Sequence, residues 1–218
     1  MPFPLQRIVD PASEPVLLID MKSYLRVDFT DDDDLITTLI SAARERAEDV
    51  TGRCLISQQW QFSFDEFPAY GCWSHLHHRH GRHNSLFAHN PQEIILPRGP
   101  VLSVDSITYK DTTGTVQTLD PSAYNVDNIS QPARITPTYN TTWPIALYDT
   151  NSVTILFTCG YANVPNSFVH AIKLITAAWY ENRSEVVQAG GNFNKFPMPL
   201  SAESLLGTYN MFPLGYAS

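Results

Sequence analysis

Between residues 30 and 52 apolar side chains recur at three- and four-residue spacing: Leu35, Ile36, Leu39, Ile40, Ala43, Ala47 and Val50. That period predicts an amphipathic helix. Thr30 is placed to cap it, with Asp33 at the reciprocal capping-box position. The run Asp31-Asp32-Asp33-Asp34 fills the first turn, where the positive end of the helix dipole favours anions. Gly52 ends the helix, and Arg44 and Glu48 form an i,i+4 pair expected on its outer face. A shorter helix fits residues 21–27, with Asp20 as N-cap and Tyr24 and Leu25 on its buried side. Before it, Pro2, Pro4, Pro11 and Pro15 remove backbone donors, so residues 1–16 read as an extended arm.

From Trp60 the period changes to two. Trp60, Phe62 and Phe64 alternate with Gln61 and Ser63, as in a half-buried strand. Further strand-like runs cover residues 93–96, 104–110, 116–119, 124–126, 134–136 and 152–158. Asp111-Thr112-Thr113-Gly114 between two of them is a hairpin turn. After Pro165 the helical period returns in Phe168, Val169, Ile172, Ile175, Ala178 and Trp179. The expected fold class is α+β: a small helical bundle of two N-terminal helices plus one C-terminal helix, with an inserted antiparallel β-domain and an extended C-terminal tail. The expected boundaries are 1–56 for arm and helices, 57–164 for the β-domain with a His-rich loop at about 70–91, 165–184 for the C-terminal helix, and 185–218 for the tail.

Composition narrows the function classes. Hydrophobic residues at 43% and charged residues at 17% place the chain among globular proteins. A net charge of -8 disfavours direct nucleic-acid binding, which needs a basic surface to displace counterions from phosphates. Residues 1–50 hold eleven acids against five bases, so most of the surplus lies in the predicted N-terminal helices. Cys54, Cys72 and Cys159 form no CxxC pair, and their odd number argues against a secreted disulfide framework. The first ten residues show no signal-peptide pattern and no apolar run reaches the ~20 residues of a membrane helix. The expectation is a protein made in a reducing cytoplasm, with no membrane partner.

The chemical features are few. Cys72, His75, His77, His78, His80, His83 and His89 form a histidine-rich tract, and neutral imidazole ligates zinc or copper. Its spacing matches no structural-zinc pattern, and Arg79 and Arg82 lie among the ligands, so the reading preferred is a long loop with no metal. A metal-binding or metal-dependent hydrolase module using Cys72, His75, His77, His78, His80 and His83 is the alternative. A third reading is a carbohydrate- or host-binding β-domain using Trp73, Phe87 and Trp143. The four consecutive aspartates lack the alternating ligands of a calcium loop, and a capped helix start accounts for them. The chain has no GxSxG, HExxH or glycine-rich phosphate loop, His170 reads as a packed or surface residue, and Asp65-Glu66 has no second catalytic group tied to it. The expectation is no enzyme and no cofactor. Arg53, Arg98 and Arg134, near turns or edges, are either subunit contacts or solvated. Residues 185–218 are rich in large apolar side chains but carry only Glu185, Lys195 and Glu203 as charges. Such a segment is expected to order against a partner, with Phe193, Phe196, Leu205, Leu206, Tyr209 and Phe212 as docking residues and Ser201 capping a short helix at 201–206. The competing reading packs the tail on its own subunit.

Several stretches, in order, resemble the head–tail connector (adaptor) proteins of tailed phages, the gp6-like group and its phiE125 gp8-like branch. They are Lys22-Ser23-Tyr24-Leu25-Arg26-Val27-Asp28, Asp32-Asp33-Asp34-Leu35-Ile36, Leu39-Ile40-Ser41-Ala42-Ala43-Arg44, Glu48-Asp49-Val50-Thr51-Gly52-Arg53 and Gln58-Gln59-Trp60. Leu96-Pro97-Arg98-Gly99-Pro100-Val101, Tyr124-Asn125-Val126-Asp127, Trp143-Pro144, Phe157-Thr158-Cys159-Gly160-Tyr161, Tyr180-Glu181-Asn182-Arg183 and Leu205-Leu206-Gly207-Thr208-Tyr209 extend the likeness over roughly residues 17–210. The 70–91 stretch departs from it and reads as an insertion. The resemblance implies a structural subunit of the virion neck, assembled in the host cytoplasm. It implies a homo-oligomeric ring, dodecameric in relatives, that docks on the portal protein and presents a surface to a downstream connector, stopper or tail protein. DNA would pass through the channel without specific binding. The family brings no catalytic residues.

Overall fold

The computed structural model describes residues 4–68, 92–182, 186–189, 192–195 and 198–211, with backbone alone for the strands at 186–189 and 192–195. The fold is α+β, with N-terminal helices, an inserted antiparallel β region and a C-terminal helix. Residues divide into two compact units, one of 1–10 with 58–159 and one of 11–57 with 160–218.

The first unit is built of antiparallel strands. Strands β1 (Leu5–Val9), β2 (Gln58–Phe64), β4 (Val101–Lys110), β5 (Val116–Thr118) and β8 (Val153–Cys159) form a sheet in the order β1-β2-β8-β4-β5. Strands β3 (Ile94–Ile95), β6 (Tyr124–Asp127) and β7 (Arg134–Pro137) form a second, in the order β3-β7-β6. Every predicted strand run is present. The alternation is clearest in β8, where Val153, Ile155, Phe157 and Cys159 are all buried. Register places Trp60 against Phe157, Phe62 against Ile155 and Phe64 against Val153, pairing like with like across the sheet. The register of β4 along β8 shifts twice, between Val101 and Ser103 and between Val104 and Ser106, as at β-bulges. The turn between β4 and β5 is closed by Asp111, whose carboxylate accepts from Thr113 Oγ1, Gln117 Nε2 and two backbone N–H groups. Those bonds, the Thr113 hydroxyl first, hold its pKa down to about 2. The arm expected at the N-terminus is extended, but it is a sheet edge: β1 pairs along β2.

Among the described residues the second unit holds four helices: α1 (Leu18–Leu25), α2 (Asp33–Thr51), α3 (Asn166–Glu181) and α4 (Leu200–Gly207). Ile36, Ile40, Ala43 and Ala47 of α2 meet Phe168, Ala171, Ile172 and Ile175 of α3, joined by Met21, Val16, Leu55, Ala202 and Leu206 in one core. Strands β9 (Val186–Ala189) and β10 (Asn192–Lys195) pair antiparallel in a stretch expected to be an irregular tail.

Three local expectations are corrected. In α1 the helix starts at Leu18, two residues before its apparent cap Asp20; the fully buried residue is Met21, Leu25 packs partly buried against the core, and Tyr24 is 42% exposed. Thr30 and Asp33 form no capping box: the first turn of α2 is held by backbone bonds from Asp33 N–H to the Thr30 carbonyl (3.1 Å) and from Ile36 N–H to the Asp32 carbonyl (2.8 Å). Arg44 and Glu48 do pair, at 2.9 Å, but face inward, with 4% and 3% of their surface exposed. Arg44 also donates to Glu14 (2.8 Å), and the other Glu48 oxygen accepts from the Leu55 N–H (2.7 Å). Burial disfavours the guanidinium charge, but the hydrogen bond to Glu14 and the charges of Glu48, Glu14 and Glu45 outweigh it and raise the Arg44 pKa.

Gly52 ends α2 in the left-handed region, at φ 72°, with its N–H on the Glu48 carbonyl. Gly160 matters for a different reason. Its φ is 147°, and a Cβ there would sit 2.6 Å from the backbone of Ile56 and Ser57. Gly160→Ala is therefore expected to cost about 2 kcal/mol or more, read as a lowered melting midpoint. Glu48→Ala, which leaves the buried Arg44 with Glu14 and Glu45 alone and takes the acceptor from the Leu55 N–H, is expected to cost about 3 kcal/mol by denaturant titration. A loss below about 1 kcal/mol would show that the pair is not buried as described.

Candidate assembly surfaces

The aspartate run that opens α2 divides into structural and exposed members. Asp33 receives the Lys22 ammonium, which also donates to the Phe29 carbonyl (2.7 Å), and so ties α1 to α2. Asp32 accepts the Tyr180 hydroxyl at 2.6 Å, which ties α2 to α3. Asp31 and Asp34 remain exposed, as do Asp20 and Asp28. Beside them lie exposed apolar side chains: Leu17, Ile19, Tyr24, Phe29 and Leu35. The helical unit thus presents a surface that is both acidic and apolar.

The three arginines singled out by position each have partners within the chain. Arg53 donates from Nε to the Tyr209 carbonyl (2.6 Å) and from Nη1 to the Tyr161 hydroxyl (2.7 Å), and lies over the Tyr209 ring. Met211 N–H bonds the Thr51 carbonyl at 2.9 Å, so the end of α2 clasps the segment after α4. Burial at this clasp raises the Tyr161 pKa, against the opposing pull of Arg53. Arg98 sits 4.9 Å above the Trp60 ring, a cation–π contact. Arg134 bonds Asp127 at 2.9 Å and approaches Glu93.

In the β unit the connection from β7 to β8 has no regular structure, yet it is held at several points. Thr138 N–H bonds the Ala123 carbonyl (3.0 Å) and Leu147 N–H the Lys110 carbonyl (2.9 Å). Trp143 stacks on Phe67 at 5.0 Å and donates from Nε1 to the Gln92 carbonyl at 2.7 Å. Lys110 Nζ closes the far end on Asp149 at 2.8 Å.

Residues 16–70, a span containing α1, α2 and β2, match the phage gp6-like head-tail connector protein family. Solved structures of gene transfer agent (GTA) particles extend the likeness of fold to nearly the whole chain. A chain from the neck of an empty particle, computed with C6 symmetry, superposes with a TM-score of 0.69 at 18% identity over 96% of each chain. One from the virion of the native particle gives 0.69 at 16% identity over 97% of each. One from the native neck, computed with C12 symmetry, gives 0.65 at 18% identity over 96% of each. No curated protein matches by sequence.

Within this fold the expected site residues fare unequally. Leu206 is fully buried in the helical core, and Leu205 and Tyr209 pack partly buried against it, so α4 is part of its own subunit and Leu206 is not free to anchor a partner. Phe193 lies on β10; Phe196 and Phe212 lie outside the described residues. Cys72, His75, His77, His78, His80, His83 and His89, with Trp73 and Phe87, also lie outside them. Among the described residues no group of three His, Cys, Asp or Glu side chains is placed to hold a metal ion. Trp143, offered as a carbohydrate platform, is 8% exposed and spent on the core. His170 is exposed, edge-on to Tyr24 at 6.5 Å, and Asp65 accepts the Asn151 N–H as a turn residue. The Arg53 clasp was not foreseen; Arg53 and Tyr209 are 156 residues apart, and nothing local joins them.

Leu206→Ala is expected to cost about 2–5 kcal/mol. Truncation after Gly191 is expected to lower the melting midpoint by several degrees, since it removes α4 and the Arg53 acceptor. A truncated chain that melts like the full one would return α4 to a docking role.

Proposed function

We propose that this chain is a structural head–tail connector subunit, a non-enzymatic part of a phage-like particle's neck. The observation that carries the reading is the coincidence of the connector-family match at residues 16–70 with a fold shared, over 96–97% of the chain, with subunits of gene transfer agent necks and virions. The finer reading is a closed ring, twelve-fold by analogy with the C12 neck, seated on the portal protein and extending the DNA channel toward a downstream connector, stopper or tail protein.

The electrostatics support a conduit. Asp20, Asp28, Asp31 and Asp34 are exposed on the helical unit, and the chain carries -8 overall. A ring sums these charges, so a polyanion passing nearby is repelled and not held. The apolar residues on the same surface, Leu17, Ile19 and Phe29, suit contact with a neighbouring protein, as do the tail aromatics Phe193, Phe196 and Phe212.

An electron-microscopy reconstruction of the neck of the particle encoded with this chain tests the proposal. A ring of this chain around the channel is expected. A single peripheral copy, or absence from the particle, would overturn it.

A further inference from the structure

The connection between β7 and β8 carries a feature that packing within the subunit does not explain. Residues 135–148 contain no charged side chain. On this stretch Tyr139 is 88% exposed, Ile145 79% and Tyr148 79%. Isolated exposed apolar residues are ordinary, but three on one uncharged ten-residue loop concentrate large apolar and aromatic side chains in a short segment, as contact surfaces do. The loop is anchored between them, by Trp143 stacked on Phe67 and by the Leu147 N–H on the Lys110 carbonyl. Burial of Tyr139, Ile145 and Tyr148 on a partner would therefore pay little ordering entropy.

We infer that the 139–148 loop is a contact between neighbouring copies of this chain, with Tyr139, Ile145 and Tyr148 as its anchors. The inference rests on the ring reading above. Charge favours a second copy as the occupant. Each copy carries -8, and juxtaposed like charges across an interface cost several kcal/mol, so identical acidic chains meet best through a stretch with no charge. DNA would demand lysine or arginine on the loop, and a basic partner would favour acids there; the loop has neither. A ring contact is heterologous, so the loop of one copy meets a different patch on the next and needs no self-complementarity. Tyrosine is also enriched among residues that dominate binding energy at protein interfaces.

The test is photo-crosslinking in assembled particles carrying Tyr139→p-benzoylphenylalanine or Tyr148→p-benzoylphenylalanine. Irradiation is expected to give a species of about twice the 24.5 kDa chain mass, with both mapped peptides from this chain. The same substitution at Thr113, exposed on the β4–β5 turn, is expected to give none. Adducts only to another particle protein, or none although the chain is present, would overturn the inference while leaving the connector reading standing. Absence of the unsubstituted chain from particles would overturn both. In parallel, the double variant Tyr139→Lys/Tyr148→Lys is expected to melt like the parent, because both side chains are exposed, yet to enter particles at least about tenfold less. Normal incorporation of that variant would also overturn the loop's role.

Discussion

Glu48 holds together three stretches of the helical unit that the sequence keeps apart. One of its oxygens binds Arg44 a turn earlier, and through Arg44 reaches Glu14 before α1; the other receives the N–H of Leu55 after α2. A buried ion pair of this kind contributes little net stability against an apolar substitute of equal size. Its effect lies in geometry. The Arg44–Glu48 pair is fully satisfied only when the segment leading into α1 and the segment leaving α2 both lie against the same face of α2. The apolar core of Ile36, Ile40, Phe168 and Ile172 tolerates small slips, whereas a desolvated guanidinium with three acidic neighbours does not.

The acidic character of the N-terminal region takes on a double meaning in this light. Asp32 and Asp33 serve as ties to Tyr180 and Lys22, and Glu14 and Glu48 are consumed around Arg44. Among those left exposed are Asp20, Asp28, Asp31 and Asp34. Charge counted along the chain therefore overstates charge on the surface, although its sign is unchanged.

Much of the architecture was legible where a single period repeats over several turns. β8, with four buried residues in strict alternation, and α3, with an apolar stripe from Phe168 to Ile175, declare themselves because local pattern and tertiary burial agree. What was not legible depends on partners far along the chain. Arg44 and Glu48 look like a solvent-facing pair because charge is the usual mark of an outer face; only Glu14, thirty residues away, makes the inner position tenable. β1 sits among prolines and becomes a strand by pairing with β2. The stretch from 185 onward looked unable to fold alone, and α4 indeed depends on α2 and α3, but those belong to the same subunit. The strands flanking Gly190-Gly191 do have a local signal, since a glycine pair between Val186-Val187 and Phe193 is a hairpin signature.

The interleaving of the two units along the chain bears on how the protein is made. β1 precedes the helices, its partner β2 follows them, and β2 in turn waits for β8, some ninety residues later in the register of Phe64 with Val153. The helical unit waits longer still, for Leu206 and for the Met211 bond to Thr51. The β unit cannot close before Val153 has been made, nor the helical unit before Leu206 and Met211. Nascent chains so dominated by distant pairings fold slowly and leave strand edges and apolar helix faces uncovered meanwhile. A chain with this order of pairings would on this account lean on chaperones during synthesis, and its yield would rise as translation is slowed or temperature lowered.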